Sequence, residues 1–240
     1  MTTIHATLGV FARYWQPGAV KSRLAATVGP EAAAQMYYGL LTATLQELDG
    51  LVDRQVIAVT PGQRLPDFRH AFPNWSCLPQ SDGDLGERMS QFFRDHCSEI
   101  SADSLLSSEQ HPSERSSRPT IVIGSDCPFY DRGLLKQAIE ALDDVPLVLG
   151  PADDGGYYLI GMRTPVPEIF EGIGWGTGQV WEQTLRQARR LGIDIAELPV
   201  FYDIDTGEDL RRMTEDLAVA TSSRLAGVLQ LARQLVGQEE

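Results

Sequence analysis

The stretch TIVIGSD, Thr120–Asp126, decides the fold class of this chain. It opens with four β-branched residues in succession, a pattern typical of a strand that is buried on both faces. Asp126 follows directly after the strand, where the carboxyl end of a parallel strand opens onto the edge of a sheet. A carboxylate at that place can hold a divalent ion, or it can cap the helix predicted to start near Asp131.

Strand-like and helix-like segments alternate on both sides of this stretch. Strands are predicted at 4–11, 54–60 and 75–80, as two apolar runs within 146–162, and within 193–206. Helices are predicted at 29–50, 131–144, 176–192, 207–217 and 224–237, and in 83–100 after a short loop. This alternation predicts an α/β fold in three α/β/α layers, with a mostly parallel central sheet and helices on both faces.

The domain organisation follows from the lack of an obvious linker. One domain spanning residues 1–240 is therefore predicted, with a C-terminal helix at 224–237. Residues 101–119 are rich in serine and carry little periodic apolar pattern, which predicts a surface insertion.

Composition narrows the class of protein. The formal net charge of −13 and the pI near 4.7 disfavour general nucleic-acid binding, which needs a basic surface. No apolar run approaches the roughly 18 residues of a membrane span, and no signal-peptide pattern opens the chain, so a cytoplasmic location is expected. The three cysteines have no CxxC spacing, which argues against a disulfide framework or a structural zinc site.

The N-terminal loop FARYWQPGAVKSRL, Phe11–Leu24, is basic within an acidic protein. It carries Arg13, Lys21 and Arg23, and the first thirty residues contain no Asp or Glu. Val20 stands where a Walker A loop has the glycine before its lysine, so the pattern is not that of a P-loop. Three cations after a strand can neutralise the phosphates of a nucleotide. The alternative is a solvated loop whose cations offset acidic neighbours.

A second group of acids lies late in the chain, in FYDIDTGEDL, Phe201–Leu210. Asp203 and Asp205 are two residues apart, so an extended backbone would place them on one face. Thr206 and Asp209 fit a helix-capping pattern, which gives them a structural explanation. Asp205 is the stronger candidate for a functional role.

The segment GPADDGGYYLIG, Gly150–Gly161, combines acids with consecutive glycines. Gly155 and Gly156 permit a tight turn or a close approach of a ligand to the backbone. Asp153 and Asp154 could bind an acceptor hydroxyl or a metal-bound water. A hairpin turn of the Asp-Gly type is the plain alternative.

The segment DGDLGERM, Asp82–Met89, precedes a predicted helix and has glycines at its start. Its Arg88 could contact a phosphate group. An ordinary ion pair at the start of the helix explains the same residue equally well.

Six motifs in order resemble one bacterial family. They are PGAVKSRLAATVGPEAAAQMY, GDLGERM, VIGSDCP, GPADDGGYYLIG, GWGT and DIDTGEDL. The family comprises GT-A-fold, glycosyltransferase-like proteins that are related to nucleotidyltransferases, and the resemblance covers residues 4–213 approximately. It implies a GT-A-like, nucleotide-diphospho-sugar transferase fold with the nucleotide pocket in the amino-terminal half.

The resemblance also implies roles for individual residues. Lys21 and Arg23 match a VKTRL element of the family and would contact phosphate. Asp126 and Asp205 are similar to the acids that hold the catalytic divalent ion, Mg²⁺ or Mn²⁺. The remaining implied positions are Arg13, Gly86 and Arg88 for the nucleotide and Asp154, Gly155, Gly156, Tyr157 and Trp175 for the acceptor, with Lys21 and Asp154 also taken as catalytic.

Four departures from the family pattern leave these side chains in place. Ser22 stands for Thr and keeps the hydroxyl, and Arg13 stands for Lys and keeps the charge. Gly207 replaces a frequent proline, which is expected to loosen the start of a helix. The insertion at 101–119 is long for the family and bears on access to the pocket.

These inferences predict a divalent-metal-dependent transferase that uses a nucleotide donor and a small-molecule acceptor. Glycosyl transfer and nucleotidyl transfer stay open at this point. The alternative is a nucleotide-binding regulatory or scaffold protein of the same fold without turnover.

Overall fold

The computed structural model describes residues 3–97, 117–217 and 223–237. The strands are β1 Ile4–Arg13, β2 Val52–Thr60, β3 Ser76–Pro79, β4 Thr120–Ile123, β5 Leu147–Pro151, β6 Tyr157–Met162 and β7 Ile195–Glu197. The α-helices are α1 Ser22–Val28, α2 Pro30–Leu48, α3 Leu65–Ala71, α4 Leu85–His96, α5 Arg132–Ala141, α6 Val180–Leu191, α7 Gly207–Asp216 and α8 Ala226–Val236.

The strands form one seven-stranded sheet in the order β3-β2-β1-β4-β6-β5-β7. β6 runs antiparallel to its neighbours β4 and β5, and the other strand pairs are parallel. The carboxyl ends of β1 and β4 therefore lie at one edge of the sheet, where ligands bind in folds of this class. The predicted α/β architecture with a mostly parallel sheet is confirmed.

The two faces of β1 show why helices cover both sides of the sheet. Leu8 and Val10 are buried in the core on the side of α2 and α5. Gly9 points the other way, and a Cβ on it would lie 2.4 Å from the Phe92 ring of α4. The missing side chain lets that ring lie directly on the strand. Burying one side chain such as that of Leu8, Val10 or Phe92 contributes about 1.5–3 kcal/mol of hydrophobic stabilisation.

A second core lies under α1, α2, α7 and α8 and supports the end of the chain. Leu24, Met36, Met213 and Leu229 belong to it, as does Ile204, which is fully buried. The apolar positions of α8 recur at helical spacing and pack on α2 and α7. The predicted C-terminal helix is present. It shares this core with Ile204, the residue between Asp203 and Asp205.

Two short helices differ from the sequence-based expectation. α1 and α3 have seven residues each, and each has one buried residue, Leu24 and Phe68 respectively. One buried position in two turns produces no apolar periodicity, so the sequence carried no helix pattern there. The basic loop accordingly ends at Lys21, and Arg23 lies in α1.

The predicted insertion at 101–119 lies largely outside the described residues, which resume at 117. Its borders are joined by a hydrogen bond in which the Arg118 amide donates to the Cys97 carbonyl oxygen at 2.9 Å. None of the helices within 3–97, 117–217 and 223–237 has the length and apolar character needed to cross a membrane.

Candidate functional site

Lys21 joins the two acids on which the sequence analysis depends. Its Nζ donates to Oδ2 of Asp126 at 2.5 Å and to Oδ1 of Asp205 at 2.6 Å. The lysine side chain is 5% exposed, whereas those of Asp126 and Asp205 are 25% and 33% exposed. Residues more than a hundred positions apart thus meet at the carboxyl edge of the sheet.

The backbone places Lys21 in an unusual conformation. It has φ 51° and ψ 48°, and it is the N-cap residue directly before α1. Among the described residues it is the one position other than glycine with a positive φ. This left-handed conformation costs an ordinary residue about 1 kcal/mol or more, and it turns the side chain inward to the two carboxylates. Strain of this kind is common at functional sites.

Asp205 is held by contacts from both sides. The amide of Ile204 donates to the Asp126 carbonyl oxygen at 3.1 Å, which fastens the two acidic segments together. Oδ2 of Asp209 accepts from the Asp205 amide at 3.1 Å and from the Thr206 amide at 2.8 Å. The predicted Thr206–Asp209 capping box is present at the start of α7, and it also orients Asp205.

The charges in this cluster stabilise one another. Burial alone would lower the pKa of Lys21, but the carboxylates of Asp126 and Asp205 outweigh it and raise that pKa. Burial would raise the pKa of Asp205, but Lys21 and Arg23 outweigh it and lower that pKa. Arg23, which is largely exposed, donates to Oδ2 of Asp205 at 2.6 Å. The lysine is therefore a firmly held cation at neutral pH.

Asp203 adds a third carboxylate beside this cluster. Its Oδ1 is shielded from solvent and has no hydrogen-bond partner among the described residues. Burial and the neighbouring Asp126 carboxylate raise its pKa well above the usual range, against the opposing effect of Lys21. A buried carboxylate oxygen without a partner is a position at which a cation would be stabilised.

The residues present supply the type of ligand that a divalent ion prefers, but not a complete set of protein ligands. Mg²⁺ prefers oxygen ligands and is commonly held by one or two carboxylates together with substrate phosphates. Asp126 and Asp205 supply such oxygens, and Asp203 lies beside them. Within the described parts of the chain, no three His, Cys, Asp or Glu residues are arranged to hold an ion by themselves.

A cavity of about 340 Å³ opens over the cluster and is called the Lys21 cavity below. Its lining includes the end of β1 with Arg13, residues 124–126 directly after β4, and Lys21, Tyr37, Gln80, Leu85 and Asp205. The hydroxyl of Tyr37 accepts a hydrogen bond from the Arg13 amide at 2.8 Å and lies 2.8 Å from the Ser125 hydroxyl. Tyr37 thereby ties α2 to both strand ends.

Tyr37 is a site residue that the sequence analysis missed. Burial is the main cause that raises its pKa to about 12, so the hydroxyl stays protonated at neutral pH. The signal was weak, because an aromatic residue within an apolar helix is normally explained by the core. Only its position opposite the end of β4, which is visible in three dimensions, distinguishes Tyr37 from an ordinary aromatic residue of the core.

A family model described as an uncharacterized protein conserved in bacteria (DUF2064) matches residues 43–177. This is more than half of the 240 residues. The chain belongs to the DUF2064 family. The matched segment contains Asp126 but neither Lys21 nor Asp205. No curated protein matches the sequence.

Solved structures extend the likeness over nearly the whole DUF2064 chain. A protein from Desulfovibrio desulfuricans G20, provisionally described as a nucleotide-diphospho-sugar transferase, is 30% identical with a TM-score of 0.81, over 98% of this chain and 97% of that one. CMP:2-keto-3-deoxy-manno-octonic acid synthetase complexed with CTP is 13% identical with a TM-score of 0.53, over 90% and 99%. The 4-diphosphocytidyl-2C-methyl-D-erythritol synthase of Anaerococcus prevotii DSM 20548 is 11% identical with a TM-score of 0.52, over 89% and 97%.

The last two likenesses establish the fold, which is that of nucleotide-diphospho-sugar transferases and nucleotidyltransferases. The expectation of a GT-A-like fold for this DUF2064 protein is therefore confirmed. The first likeness also places the Desulfovibrio protein close to it in sequence.

Three of the five predicted acceptor residues of this DUF2064 chain, Asp154, Gly155 and Gly156, lie in one turn, while Tyr157 begins β6 and Trp175 precedes α6. Oδ1 of Asp154 accepts from the Gly156 amide at 2.9 Å, and Gly155 has φ 86°. The turn connects the antiparallel strands β5 and β6, so the hairpin explanation holds for its backbone. The Trp181 amide donates to the Gly155 carbonyl oxygen at 2.8 Å, which fastens the turn to the start of α6. An acceptor role for these residues stays a prediction.

Gly86 and Arg88 do not line the Lys21 cavity. Arg88 donates to the Gly83 carbonyl oxygen at 2.9 Å and to the Gln80 side chain at 3.3 Å, so it shapes the loop before α4. Gly86 lies under the indole of Trp175, where a Cβ would be 2.6 Å from the ring. Trp175 also packs edge-to-face on Tyr157 at 6.3 Å between ring centroids.

Proposed function

We propose that this protein is a divalent-metal-dependent transferase that takes a nucleotide donor and passes a glycosyl or nucleotidyl group to a small acceptor. The observation that carries the proposal is the meeting of Asp126 and Asp205 on Lys21 at the carboxyl edge of the sheet. Carboxylates and firmly charged cations in one cavity are the groups that a metal–phosphate complex requires.

The relatives support the nucleotide as the common ligand. The 30%-identical Desulfovibrio protein is provisionally described as a nucleotide-diphospho-sugar transferase. The synthetase solved with CTP has the same fold, and in open α/β sheets ligands bind beyond the carboxyl ends of the strands. The Lys21 cavity occupies that position here.

Asp126 and Asp205 would hold the ion, with the unpartnered Oδ1 of Asp203 close by. When bound, Mg²⁺ or Mn²⁺ supplies positive charge that offsets the charge on the donor phosphate oxygens. The Lys21 ammonium contacts one oxygen of each acid, so it lies beside the place proposed for the ion. From there it would also offset negative charge on the donor phosphates.

Residues in and beside the cavity would position the donor. Arg23 is exposed and paired with the cavity residue Asp205, and its guanidinium can bind phosphate oxygens in pairs. The linkage from the Arg13 amide through Tyr37 to Ser125 keeps the two strand ends at a fixed separation. Positioning and charge neutralisation of this kind are the main contributions that an enzyme makes to group transfer from nucleotides.

Two bond changes are compatible with this arrangement. In nucleotidyl transfer, an acceptor oxygen forms a bond to the α-phosphorus and pyrophosphate leaves. In glycosyl transfer, the oxygen forms a bond to the anomeric carbon of the donor sugar and a nucleoside diphosphate leaves. In both, the acceptor hydroxyl gives up its proton, and Asp154 on the β5–β6 turn is the proposed group that orients or receives it.

The proposal is tested by calorimetric titration of nucleoside triphosphates and nucleotide-sugars with and without Mg²⁺. Lys21→Ala is expected to weaken Mg²⁺-dependent binding at least about tenfold, since a charge-assisted contact to phosphate is lost. The chain has one other lysine, Lys136, which is exposed on α5, and Lys136→Ala is the matched control. Binding that needs no Mg²⁺ and is unchanged in Lys21→Ala would contradict the proposal.

Product analysis separates the two reactions. Pyrophosphate released from a nucleoside triphosphate indicates nucleotidyl transfer, and nucleoside diphosphate released from a nucleotide-sugar indicates glycosyl transfer. Tight, metal-dependent nucleotide binding without product over a broad acceptor panel would instead favour the regulatory or scaffold role.

A further inference from the structure

A second and larger cavity lies beside the first. It has a volume of about 730 Å³ and is called the Ser90 cavity here. Leu85 lines the Lys21 cavity, whereas its chain neighbours Asp84 and Gly86 line the Ser90 cavity. The first turn of α4 therefore separates the two cavities by the thickness of one backbone.

The charge of the Ser90 cavity is negative. The charged residues in its lining are Asp82, Asp84, Glu87, Glu171 and Arg94. Four carboxylates face one guanidinium, and the guanidinium of Arg94 also contacts the Gln91 side chain at 3.2 Å. These charged side chains are exposed, so solvent screens each of them, but a phosphate or carboxylate group that enters the cavity still meets an excess of like charge at short range.

Two serines of the lining carry hydroxyls that lack partners. Ser90 is 6% exposed, and its Oγ is buried with no hydrogen-bond partner among the described residues. Oγ of Ser81, at the other end of the loop that leads into α4, is likewise buried and unpartnered. Buried polar atoms are normally paired, and rotation of either hydroxyl towards the cavity would let it pair with a ligand.

An aromatic wall completes the lining. Trp175 and Phe170 line the cavity and lie 6.4 Å apart between ring centroids. Gly86 allows the indole to approach α4, because any side chain there would overlap the ring. The face of an aromatic ring is suited to the C–H groups of a sugar, while carboxylates and serine hydroxyls are suited to its O–H groups.

A metal ion is a poorer occupant of this cavity. In the described parts of the chain, no three potential ligands are arranged around a common point. One oxygen of Asp84 accepts from the Glu87 amide and one oxygen of Glu87 accepts from the Asp84 amide, so this pair is already used in capping α4. The free oxygens, the hydroxyls and the aromatic faces together fit an organic ligand better.

We propose that the Ser90 cavity is the acceptor site and that it selects a polyhydroxylated acceptor without negative charge, a sugar or polyol rather than its phosphate or uronate. This inference rests on the proposed transferase function. Two adjoining cavities separated by the first turn of α4 would then hold an anionic donor beside Lys21 and Arg13 and a neutral acceptor among carboxylates. Trp175, which was predicted to bind the acceptor, belongs to this wall, whereas Asp154 does not line the Ser90 cavity.

The test is direct binding of matched pairs of compounds to the full chain. The probes are D-glucose, D-ribose, glycerol and myo-inositol against glucose 6-phosphate, ribose 5-phosphate, glycerol 3-phosphate and inositol 1-phosphate, with glucuronate included. At least one neutral compound is expected to bind, by calorimetry or by quenching of tryptophan fluorescence, at least tenfold more tightly than its phosphate. Ser90→Ala is expected to weaken that binding at least threefold.

Variants assign the effect to the cavity. Glu171→Gln removes a carboxylate from an exposed position on the cavity wall. It is expected to reduce the ratio of the phosphate's dissociation constant to that of the neutral compound by at least threefold. Glu182→Gln on the exposed face of α6, outside the cavity, is the matched control and is expected to leave the ratio unchanged.

The inference is overturned if no neutral compound binds, if the phosphates bind as tightly as their parents, or if neither cavity variant alters binding. Nucleotide titration on the same samples distinguishes this failure from failure of the transferase proposal. Nucleotide binding without sugar binding removes the acceptor inference alone, and sugar binding without nucleotide binding removes the transferase proposal.

Discussion

The ammonium of Lys21 and a divalent cation would compete for the negative charge of the same two carboxylates. Lys21 contacts one oxygen each of Asp126 and Asp205 and is almost entirely buried. Removing this buried cation leaves two neighbouring carboxylates with only Arg23 to offset their charge, which costs folding free energy. The lysine therefore stabilises the protein before any ligand binds, and a divalent ion at these acids would have to bind against its positive charge.

Lys21→Met is expected to show this competition. In the absence of metal, it should lose about 1–3 kcal/mol of unfolding free energy, less than for a fully buried pair because the two acids are partly exposed. Added Mg²⁺ should raise the thermal midpoint of Lys21→Met more than that of the wild type, since the ion binds the folded state without a competitor. Lys136→Met is the control. An equal Mg²⁺ effect in the wild type and Lys21→Met would contradict the competition.

A second ion pair lies at the opposite end of the sheet. Arg118 is buried and donates to Oδ1 of Asp53 at 2.5 Å, and the same oxygen accepts from the Ala6 amide at 3.0 Å. Burial acts to raise the pKa of Asp53, but the hydrogen bonds from Arg118 and Ala6 outweigh it and lower that pKa. A carboxylate whose pKa is lowered by folding stabilises the protein above its unfolded pKa of about 4 and loses that contribution as pH falls through the folded value.

Asp53→Asn is therefore expected to cost about 1 kcal/mol at pH 7, a modest value because Asp53 is partly exposed. The difference from the wild type should shrink as the pH is lowered below about 4, where the wild-type carboxyl becomes protonated as well. Urea unfolding at several pH values measures both. Asp143→Asn, which breaks the exposed pair with Arg163, is the control and should change stability by less than about 0.5 kcal/mol. A difference that stays constant down to pH 3 would argue against the Asp53–Arg118 explanation.

At the scale of elements, the turn between β5 and β6 depends on close backbone approach. Gly155 has φ 86°, and a Cβ on it would lie 2.1 Å from the Gly178 carbonyl oxygen. Gly172 has φ 69° but no described heavy atom within 4 Å of a Cβ. Both glycines have a positive φ, but only Gly155 has a backbone atom where a Cβ would lie. They are therefore a matched pair for measuring the effect of that contact.

Gly172→Ala is expected to lose about 1–2 kcal/mol, which is the cost of a left-handed conformation for an L-residue. Gly155→Ala should lose at least about 2 kcal/mol more, because the α6 start must move away from the turn. Equilibrium unfolding in urea compares the two. Equal losses of unfolding free energy would show that the segment carrying Gly178 moves away from the new Cβ at no cost and that the turn is not fixed to α6.

Helices and strands with a repeating pattern were predictable from the sequence. The strand at Thr120–Ile123 and the helix at Pro30–Leu48 both agree with the expectation, the strand through its unbroken β-branched run and the helix through its length, its proline at the start and the glycine after its end. Seven-residue helices such as α1 were not predictable. Each is stabilised by tertiary contacts of one or two residues, which leave no repeating pattern in the sequence. The placement of Lys21 at the start of α1 depends on such a helix and was therefore not predictable either.

At the scale of the molecule, the sequence predicted the layers but not the order of the strands. Alternation of strands and helices indicates a mostly parallel sheet, whereas the antiparallel position of β6 between β4 and β5 depends on contacts between distant segments. The same limit applies to the site. The acids at 126 and 205 were identified through their positions after strands and through family resemblance, but their shared contact with Lys21 appears only in three dimensions. The Ser90 cavity likewise depends on two segments, 81–94 and 167–175, that no local pattern connects.

The hydrogen bond between the Arg118 amide and the Cys97 carbonyl has a practical consequence. A chain that leaves the fold at Cys97 and returns at Arg118 departs and re-enters at neighbouring points, so a guest domain whose own termini are adjacent could be grafted there in place of the natural segment. β4 runs away from this junction and ends just before Asp126, which puts the graft at the opposite end of the sheet from the Lys21 cavity. A fluorescent reporter carried at this junction would follow the protein in cells or on surfaces while leaving the Lys21 cavity open.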